Sequence, residues 1–337
     1  MAQTSPTARA LVQEGIALYD QGQYEQAVAK YQQALAAEPD DLRTQTELAL
    51  TYNALRRYPE AAALCHRLLK THPSADPLLY ITYGNSLDSN HQPAQALAAY
   101  QQGIKYFPGS FMLYYNQAVA LVGQQRPTEA VASLQHAAVL RPTHASTQLA
   151  LGTVQLQQRA RIAGVLALAR FLVLEPTGAR ATQFLPQLDQ AMMQGVSQQD
   201  EHHITINVAA ESLKKGKGQQ ADDFAPEEML LSLTGAQAFD EKHRGMTKTE
   251  KFIDQFGTLC SVLSERTKLD SKGFNRQYYA PYFVALQKKG FVPAFAYLIH
   301  SSQADALDMQ QWLAAHPTEV EVFQEWSKTY EWPALKL

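Results

Sequence analysis

Two groups of side chains have the residue types that could support chemistry. In Glu201-His202-His203 the two histidines could bind zinc only with further ligands from elsewhere in the chain, and Cys260 with His300 could form a nucleophile and its base. The segment around the two adjacent histidines alternates as a β-strand does, so their side chains would point to opposite faces and could not share a metal. The sequence has no Gly-rich phosphate loop, no Gly-x-Ser-x-Gly and no His-Glu-x-x-His. We therefore expect no catalytic residues, no metal and no cofactor, and predict that the protein is not an enzyme.

The composition argues against a nucleic-acid-binding protein and against a membrane-spanning protein. The chain has 337 residues, of which 46% are hydrophobic, so it has room for two domains with sizeable cores. Its 29 basic and 32 acidic side chains leave a net charge of -3, without the basic excess that nucleic-acid binding requires. The longest apolar runs, 162–169 and 291–299, are far shorter than the roughly 20 residues of a membrane span. We expect a protein or peptide partner, no nucleic acid and no membrane span.

The compartment depends on what preceded the N-terminus. Residues 1–6 lack the basic and apolar regions of a signal peptide. The Ala-Gln-Thr-Ser after Met1 is similar to what remains once a signal peptide has been cleaved. We expect a periplasmic location if a signal peptide was removed and a cytoplasmic location otherwise. Cys65 and Cys260 are too few for a disulfide framework, so they do not identify the compartment.

Prolines mark an internal repeat in the first half. Five of them lie 34 or 35 residues apart, each after an amphipathic stretch: Pro39, Pro73, Pro108, Pro142 and Pro176. With the proline at position 32 of a 34-residue unit, the units begin at Ala8, Leu42, Pro77, Phe111 and Ala145. Positions 8 and 20 are Gly or Ala in every unit, which lets two antiparallel helices approach closely. Each unit is therefore predicted to be a helix hairpin.

This pattern resembles the tetratricopeptide repeat (TPR) family over residues 8–178. The resemblance implies an α-solenoid of five helix hairpins whose first helices line a concave groove. Position 27, which is usually small, is Leu68 in the second unit and Phe171 in the fifth, so we expect less regular packing there. Residues 179–194 are predicted to form one more amphipathic helix that caps the last apolar face.

The same resemblance implies where a protein partner would lie, chiefly at positions 2, 5, 6, 9, 12 and 13 of the first helices. These positions are largely apolar with a few amides, and the predicted partner-binding groove consists of Arg9, Ile16, Tyr19, Arg43, Leu50, Asn53, Ile81, Asn85, Met112, Tyr115, Asn116 and Val119. TPR domains that capture a C-terminal carboxylate use two asparagines and three cations. Aligned from the third unit, this chain keeps the asparagines but has Ile81, Ser146 and Ala150 in place of the cations. We therefore predict that the groove takes an internal or apolar segment.

The second half has a different character. Residues 202–208 alternate as a short strand would, and 213–220 have the composition of a flexible linker. Helical signals return after residue 224, including capping-box patterns at Thr247–Glu250 and Thr318–Glu321. We predict helices at 226–240, 247–266, 277–289, 293–301, 304–315 and 318–331. The frequent aromatic residues are interpreted as core, and no family is identified for this half.

These observations predict an all-α protein. It comprises a TPR α-solenoid of five hairpins with its capping helix at 8–195, a linker with a possible short strand at 196–223, and an aromatic-rich helical domain at 224–337. We expect residues 1–195 to fold alone and interpret the protein as a non-enzymatic interaction scaffold. Two alternatives stay open. One is an enzyme or small-ligand-binding C-terminal domain with the repeats as its targeting arm, and the other is a structural subunit of an envelope assembly.

Overall fold

The computed structural model describes residues 6–200, 203–206, 224–237, 239–240, 243–267, 272–303 and 307–337. Over these residues the protein is all-α as predicted, with 17 helices and one short antiparallel hairpin. The chain divides into two compact units, Met1–Leu140 and Arg141–Leu337. The predicted solenoid at 8–195 spans both units, and the division at 195 and 223 stays a prediction.

The first unit consists of four helix hairpins. Its helices are α1 (Pro6–Asp20), α2 (Tyr24–Ala37), α3 (Leu42–Ala54), α4 (Tyr58–Thr71), α5 (Pro77–Ser89), α6 (Pro93–Tyr106), α7 (Phe111–Gly123) and α8 (Pro127–Leu140). The second helix of each hairpin ends two residues before the repeat proline, for example at Ala37 before Pro39. The prolines therefore end the helices, because they lack the amide hydrogen that would continue them.

Small residues bring the two helices of each hairpin together, as predicted. Ala27, Ala61, Ala96 and Ala130 at position 20 are all fully buried. A methyl group at Gly15 would come within 2.5 Å of Cε1 of Tyr31, the residue at position 24 of the same hairpin. The third hairpin repeats this pairing with a buried glycine and a buried tyrosine. In the first unit, glycine at position 8 thus lies under a tyrosine ring, and alanine occupies position 8 where position 24 is Cys65 or Leu134.

The turn inside each hairpin has a fixed conformation at position 15. Gly22, Arg56, His91 and Gln125 all occupy it in the first unit, with φ between 56° and 75°. The following amide donates back to the carbonyl of position 11 at 2.8–2.9 Å, which ends the first helix in a Schellman motif. Only the first hairpin has glycine here, so the others hold a side chain in a strained, left-handed backbone.

The first helices of the first unit lie side by side. α1 contacts α3, α3 contacts α5, and α5 contacts α7, and these contacts are more extensive than those between successive second helices. Because the first helices approach one another more closely, this unit curves toward them. The surface that they present is therefore the inner, concave one.

The second unit contains the fifth hairpin and the aromatic-rich helices. Its elements are α9 (Ala145–Gln157), α10 (Arg161–Leu174), α11 (Ala179–Met193), β1 (Val196–Asp200), β2 (His203–Ile206), α12 (Ala225–Gln237), α13 (Lys248–Thr267), α14 (Phe274–Lys288), α15 (Val292–Ile299), α16 (Leu307–Ala315) and α17 (Pro317–Thr329). β1 and β2 are antiparallel, with Val196 opposite Ile206. Strand β2 lies inside the alternating segment 202–208. The predicted linker at 207–223 lies outside the described residues.

Helix α10 is enclosed on every side. All residues from Arg161 to Leu172 are buried, and the helix contacts α9, α11, α12, α14 and α15. Arg161 donates to the carbonyls of Ala191 and Met192 at 2.6 and 2.8 Å, so it caps the C-terminal end of α11. Helix α11 covers α10 and is itself packed against α12 and α13. It is therefore an interior helix of this unit and more than a terminal cap.

The aromatic side chains of the second unit form core, as predicted. Tyr278, Tyr279 and Tyr282 on α14 are fully buried, and Trp332 lies 4.7 and 5.0 Å from the rings of Tyr278 and Tyr282. The guanidinium of buried Arg170 lies 5.0 Å from the Trp332 ring and donates to the Ser327 hydroxyl at 2.8 Å. This cluster fixes the C-terminal segment against the fifth hairpin.

Of the two capping boxes expected in the second half, only the first forms. Thr247 and Glu250 exchange hydrogen bonds of 2.7 and 3.2 Å between side chains and amides. The prediction at Thr318 was wrong, because α17 begins at Pro317 and its N-cap is His316. Proline is well suited to the first position of a helix, and this moves the start one residue upstream.

Candidate partner-binding groove

The predicted binding residues all lie on the first helices of the first unit. We call the surface formed by these twelve residues on α1, α3, α5 and α7, together with Val122 on α7, the inner face. Arg9 and Arg43 are exposed at its edge, whereas Ile16, Tyr19, Leu50 and Ile81 are half-buried. Ile16 and Tyr19 pack against the core cluster around Val12 and Tyr31, so part of their apolar surface stabilises the first hairpin.

The most exposed apolar part of the inner face belongs to α7. Val119 is 49% and Val122 is 40% exposed, and both follow the half-buried Met112 and Tyr115 along one side of the helix. Exposed valines on a helix that is otherwise packed leave apolar surface in water. This end of the inner face can therefore bury apolar side chains of another chain.

The three asparagines of the inner face already make hydrogen bonds inside the unit. Asn53 donates to the Ser86 hydroxyl at 2.7 Å, which ties α3 to α5. Asn85 accepts from the Tyr100 hydroxyl at 2.5 Å, and Asn116 donates to the Met112 carbonyl at 2.8 Å. An amide has both donor and acceptor atoms, so each asparagine keeps capacity for a ligand.

Acidic side chains accompany the apolar ones. Burial raises the pKa of Glu47 on α3, and it raises the pKa of Asp88 on α5 as well. Arg43 opposes the shift at Glu47, while Asp76 and Asp20 add to it. Glu47 and Asp88 are not among the predicted binding residues, because their incomplete solvation is a property of the fold.

Tyr31 and Tyr100, at position 24 of the first and third hairpins, were missed as candidates for this surface. Both rings are buried and pass over the glycine at position 8 of the first helix. The Tyr100 hydroxyl reaches Asn85 at position 9, on the inner face. The signal in the sequence was a tyrosine at a position that elsewhere in the repeats holds Cys or Leu.

The catalytic pair weighed for the second half does not form. His300 directs Nδ1 to the Ala296 carbonyl at 2.7 Å and Nε2 to the Asp189 carboxylate at 3.1 Å. Both ring nitrogens therefore already lie against hydrogen-bond acceptors other than Cys260. Cys260 is fully buried, and burial raises the pKa of its thiol, which disfavours the reactive thiolate.

The metal site weighed at residues 201–203 lies largely outside the described residues. Glu201 and His202 are not described, and His203 begins β2. Across the part of the chain that the structure describes, no group of three or more His, Cys, Asp or Glu side chains is arranged to hold a metal ion. In the same part, no helix combines the length and the apolar character that crossing a membrane requires.

A polar pocket of about 300 Å³ lies beside α12 and α13 in the second unit. Its lining residues are Thr234, Gln237, Asp240, His243, Lys251, Asp254, Gln255 and Thr258. His243 lies between two carboxylates, with Nδ1 2.6 Å from Asp240 and Nε2 3.3 Å from Asp254. Both ring nitrogens lie within hydrogen-bonding distance of a carboxylate, so the imidazole is held in place between Asp240 and Asp254.

Comparison with known proteins supports the repeat assignment. The tetratricopeptide repeat family matches residues 12–76 and 83–145. No curated protein sequence matches the chain. A thermophilic TPR protein of Thermus thermophilus is 19% identical, over 55% of this chain and 99% of that chain, with a TM-score of 0.46. MamA residues 41 to the end from Desulfovibrio magneticus are 17% identical, over 51% and 97%, with a TM-score of 0.45.

A third solved structure, of pilF from Pseudomonas aeruginosa, is 16% identical over 56% of this chain and 90% of that chain, with a TM-score of 0.45. The C-terminal half of this chain has no family match. The family match, the close-packed hairpins and the shared turn at position 15 together identify residues 12–145 as a tetratricopeptide repeat segment.

Proposed function

We propose that the inner face binds an extended segment of a protein partner and that the protein is a non-enzymatic interaction scaffold. The observation that carries this proposal is the exposure of Val119 and Val122 on a concave surface lined by further half-buried apolar side chains. Apolar surface that stays exposed in a groove is typical of a site for another chain. The nearly balanced charge of the protein favours a protein partner over a nucleic acid.

The asparagines supply the polar part of this recognition. Asn85 uses its carbonyl oxygen for Tyr100, so its amide nitrogen is the atom that donates to a ligand. Asn116 uses its amide nitrogen for Met112, so its carbonyl oxygen is the atom that accepts. One donor and one acceptor on neighbouring helices match the N–H and C=O groups of an extended backbone. Ile81, Tyr115 and Val119 would then contact its side chains.

The partner's C-terminal carboxylate is not needed for this binding. Ile81 stands where carboxylate-binding TPR domains have a cation, and a carboxylate stripped of water needs a positive partner. For a peptide that binds the full-length protein, amidation of its C-terminus should therefore leave the affinity unchanged. A large loss of affinity on amidation would assign the groove to chain ends instead.

The experiment uses random peptides displayed on phage and selected on the full-length protein. We expect the selected peptides to bind the wild type and to lose at least tenfold in affinity, about 1.4 kcal/mol, with Val119→Glu. The matched control is Val322→Glu, since Val322 on α17 is 50% exposed and Val119 is 49% exposed. Equal loss in both variants, or no loss with Val119→Glu, would contradict the proposal.

The two alternatives predict other results. An enzyme or small-ligand domain at 224–337 would use the polar pocket near His243, so a pocket variant such as Lys251→Met would abolish function while Val119→Glu would not. A structural subunit of an assembly would form stable complexes with a folded partner and would show no binding to short peptides. Peptide selection therefore separates the scaffold from a structural subunit, and the pocket variant separates the scaffold from an enzyme or small-ligand domain.

A further inference from the structure

The tyrosines at position 24 of the first and third hairpins have different surroundings. Tyr31 lies over Gly15 as Tyr100 lies over Gly84. In the third hairpin the residue at position 9 is Asn85, which accepts the tyrosine hydroxyl. In the first hairpin position 9 is Ile16, which has no acceptor.

The Tyr31 hydroxyl is consequently left unpaired. The Tyr31 side chain is fully buried, and its hydroxyl has no hydrogen-bond partner of good geometry among the described residues. The Thr51 hydroxyl is near enough to oppose the rise in the pKa of Tyr31, but it donates its own proton to the Glu47 carbonyl at 2.7 Å and makes no hydrogen bond of good geometry with Tyr31. A buried hydroxyl without a partner costs free energy that a neighbouring acceptor would recover.

The charges of two carboxylates act on this hydroxyl. Burial is the main cause that raises the pKa of Tyr31, and the charges of Glu47 and Asp20 raise it further. Glu47 is half-buried, and the charges of Asp20 and Asp76 help to raise its pKa. Among the described residues, Arg43 is the one cation whose charge lowers that pKa. Three carboxylates against one guanidinium leave the surroundings of Glu47 short of positive charge.

We propose that the half-buried Glu47 carboxylate binds a lysine or arginine side chain of the bound partner segment. This proposal rests on the proposed function of the inner face. The Glu47 carboxylate accepts from the cation and, through its other lone pairs, from the Tyr31 hydroxyl, so one carboxylate supplies both missing partners. The partner's charge also offsets the acidic excess of Glu47, Asp20 and Asp76.

The fold sets the number of residues between the basic and the apolar residue of such a partner segment. Glu47 lies on α3, and the exposed valines lie on α7, two helices further along the inner face. Packed helices lie ~8–10 Å apart, so the two places are about 16–20 Å apart, which an extended chain spans in about five or six residues. The occupant is therefore an extended segment with a basic residue about five or six positions from an apolar one.

The test compares phage-displayed random peptides selected on the wild-type protein and on Glu47→Gln. We expect peptides from the wild type to carry Lys or Arg at the stated distance from an apolar residue, and peptides from Glu47→Gln to keep the apolar residue alone. For the best wild-type peptide, replacement of its basic residue by Met should lower the affinity about tenfold on the wild type and leave it nearly unchanged on Glu47→Gln.

A second variant covers the case in which Glu47→Gln does not fold. Asp20 is exposed, so Asp20→Asn should fold and should weaken the same peptide by a smaller factor. Peptides without a basic residue, or equal affinities for the Lys and Met peptides, would overturn the cation site. In that outcome sensitivity to Val119→Glu still supports the groove, whereas indifference to Val119→Glu refutes the groove itself.

Discussion

The Tyr100 hydroxyl donates to Oδ1 of Asn85 at 2.5 Å, and this bond joins the interior of the third hairpin to the inner face. The ring reaches that far because Gly84 leaves room beneath it. Because position 84 has no side chain, the Tyr100 ring can pack in the core and its hydroxyl can hold Asn85 in place on the inner face. The conformation of Asn85 on the inner face therefore depends on the packing inside the third hairpin.

Gly84→Leu should destabilise the protein. A methyl group at position 84 would already lie 2.5 Å from Cζ and 2.9 Å from Cδ1 of Tyr100, so leucine forces the helices apart. We expect a loss of at least the usual overpacking cost of about 1–3 kcal/mol, read from the midpoint of urea denaturation. The control is Gly123→Leu, where a side chain meets open space. Similar midpoints for Gly84→Leu and the wild type would remove Gly84 from the helix contact.

The two position-24 tyrosines should respond differently to loss of their hydroxyls. Tyr100→Phe leaves Asn85 without its partner and should lower the free energy of unfolding by about 1 kcal/mol. Tyr31→Phe removes a hydroxyl that has no partner, so stability should be unchanged or slightly higher. Thermal denaturation of both variants measures the difference. Equal destabilisation would mean that the Tyr31 hydroxyl is paired in the free protein.

The strained turns predict a stabilising substitution. Gln125 holds φ at 56°, a conformation that costs an L-residue energy and glycine little. Gln125→Gly should raise the free energy of unfolding by about 1 kcal/mol, and Gly22→Gln, at the same position of the first hairpin, should lower it by a similar amount. Chemical denaturation of the two variants checks the opposite signs. A loss of stability with Gln125→Gly would show that its side chain contributes more than the strain costs.

The structure changes the expectation that residues 1–195 fold alone. That fragment ends after α11 and lacks α12, α14 and α15, which cover α10 in the full chain. Buried Arg170 would lose Ser327 and Tyr282, and the apolar sides of α10 would face water. We expect the fragment to bind a hydrophobic dye and to melt less cooperatively than the full-length protein. A sharp melt without dye binding would restore a domain boundary near residue 195.

The repeats could be predicted because their determinants are local. The spacing of Pro39 and its equivalents, and the small residues at positions 8 and 20, specify each hairpin within one unit of sequence. All six helices expected after residue 224 begin and end within about three residues of their observed bounds for the same reason. The helix predicted at 226–240 ends at Gln237, and the helix predicted at 277–289 begins earlier than predicted, at Phe274.

The remainder depends on contacts that the sequence does not display. Arg170 pairs with Ser327 across 157 residues, so no local pattern could show that the fifth hairpin is enclosed by the C-terminal helices. The different environments of Tyr31 and Tyr100 likewise follow from which residue at position 9 each hydroxyl meets in space. The sequence placed all twelve predicted binding residues on the first helices, where the structure has them, but their hydrogen bonds and exposure required the fold.

Site-specific photocrosslinking tests the central claim most directly. A photoreactive phenylalanine derivative replaces Tyr115 on the inner face, or in the control Tyr106, which is 45% exposed on the second helix α6. With a peptide selected on the full-length protein, we predict crosslinks from position 115 and none from position 106. Crosslinks from position 106 alone, or from neither position while the peptide still binds, would contradict the claim that the inner face is the binding site.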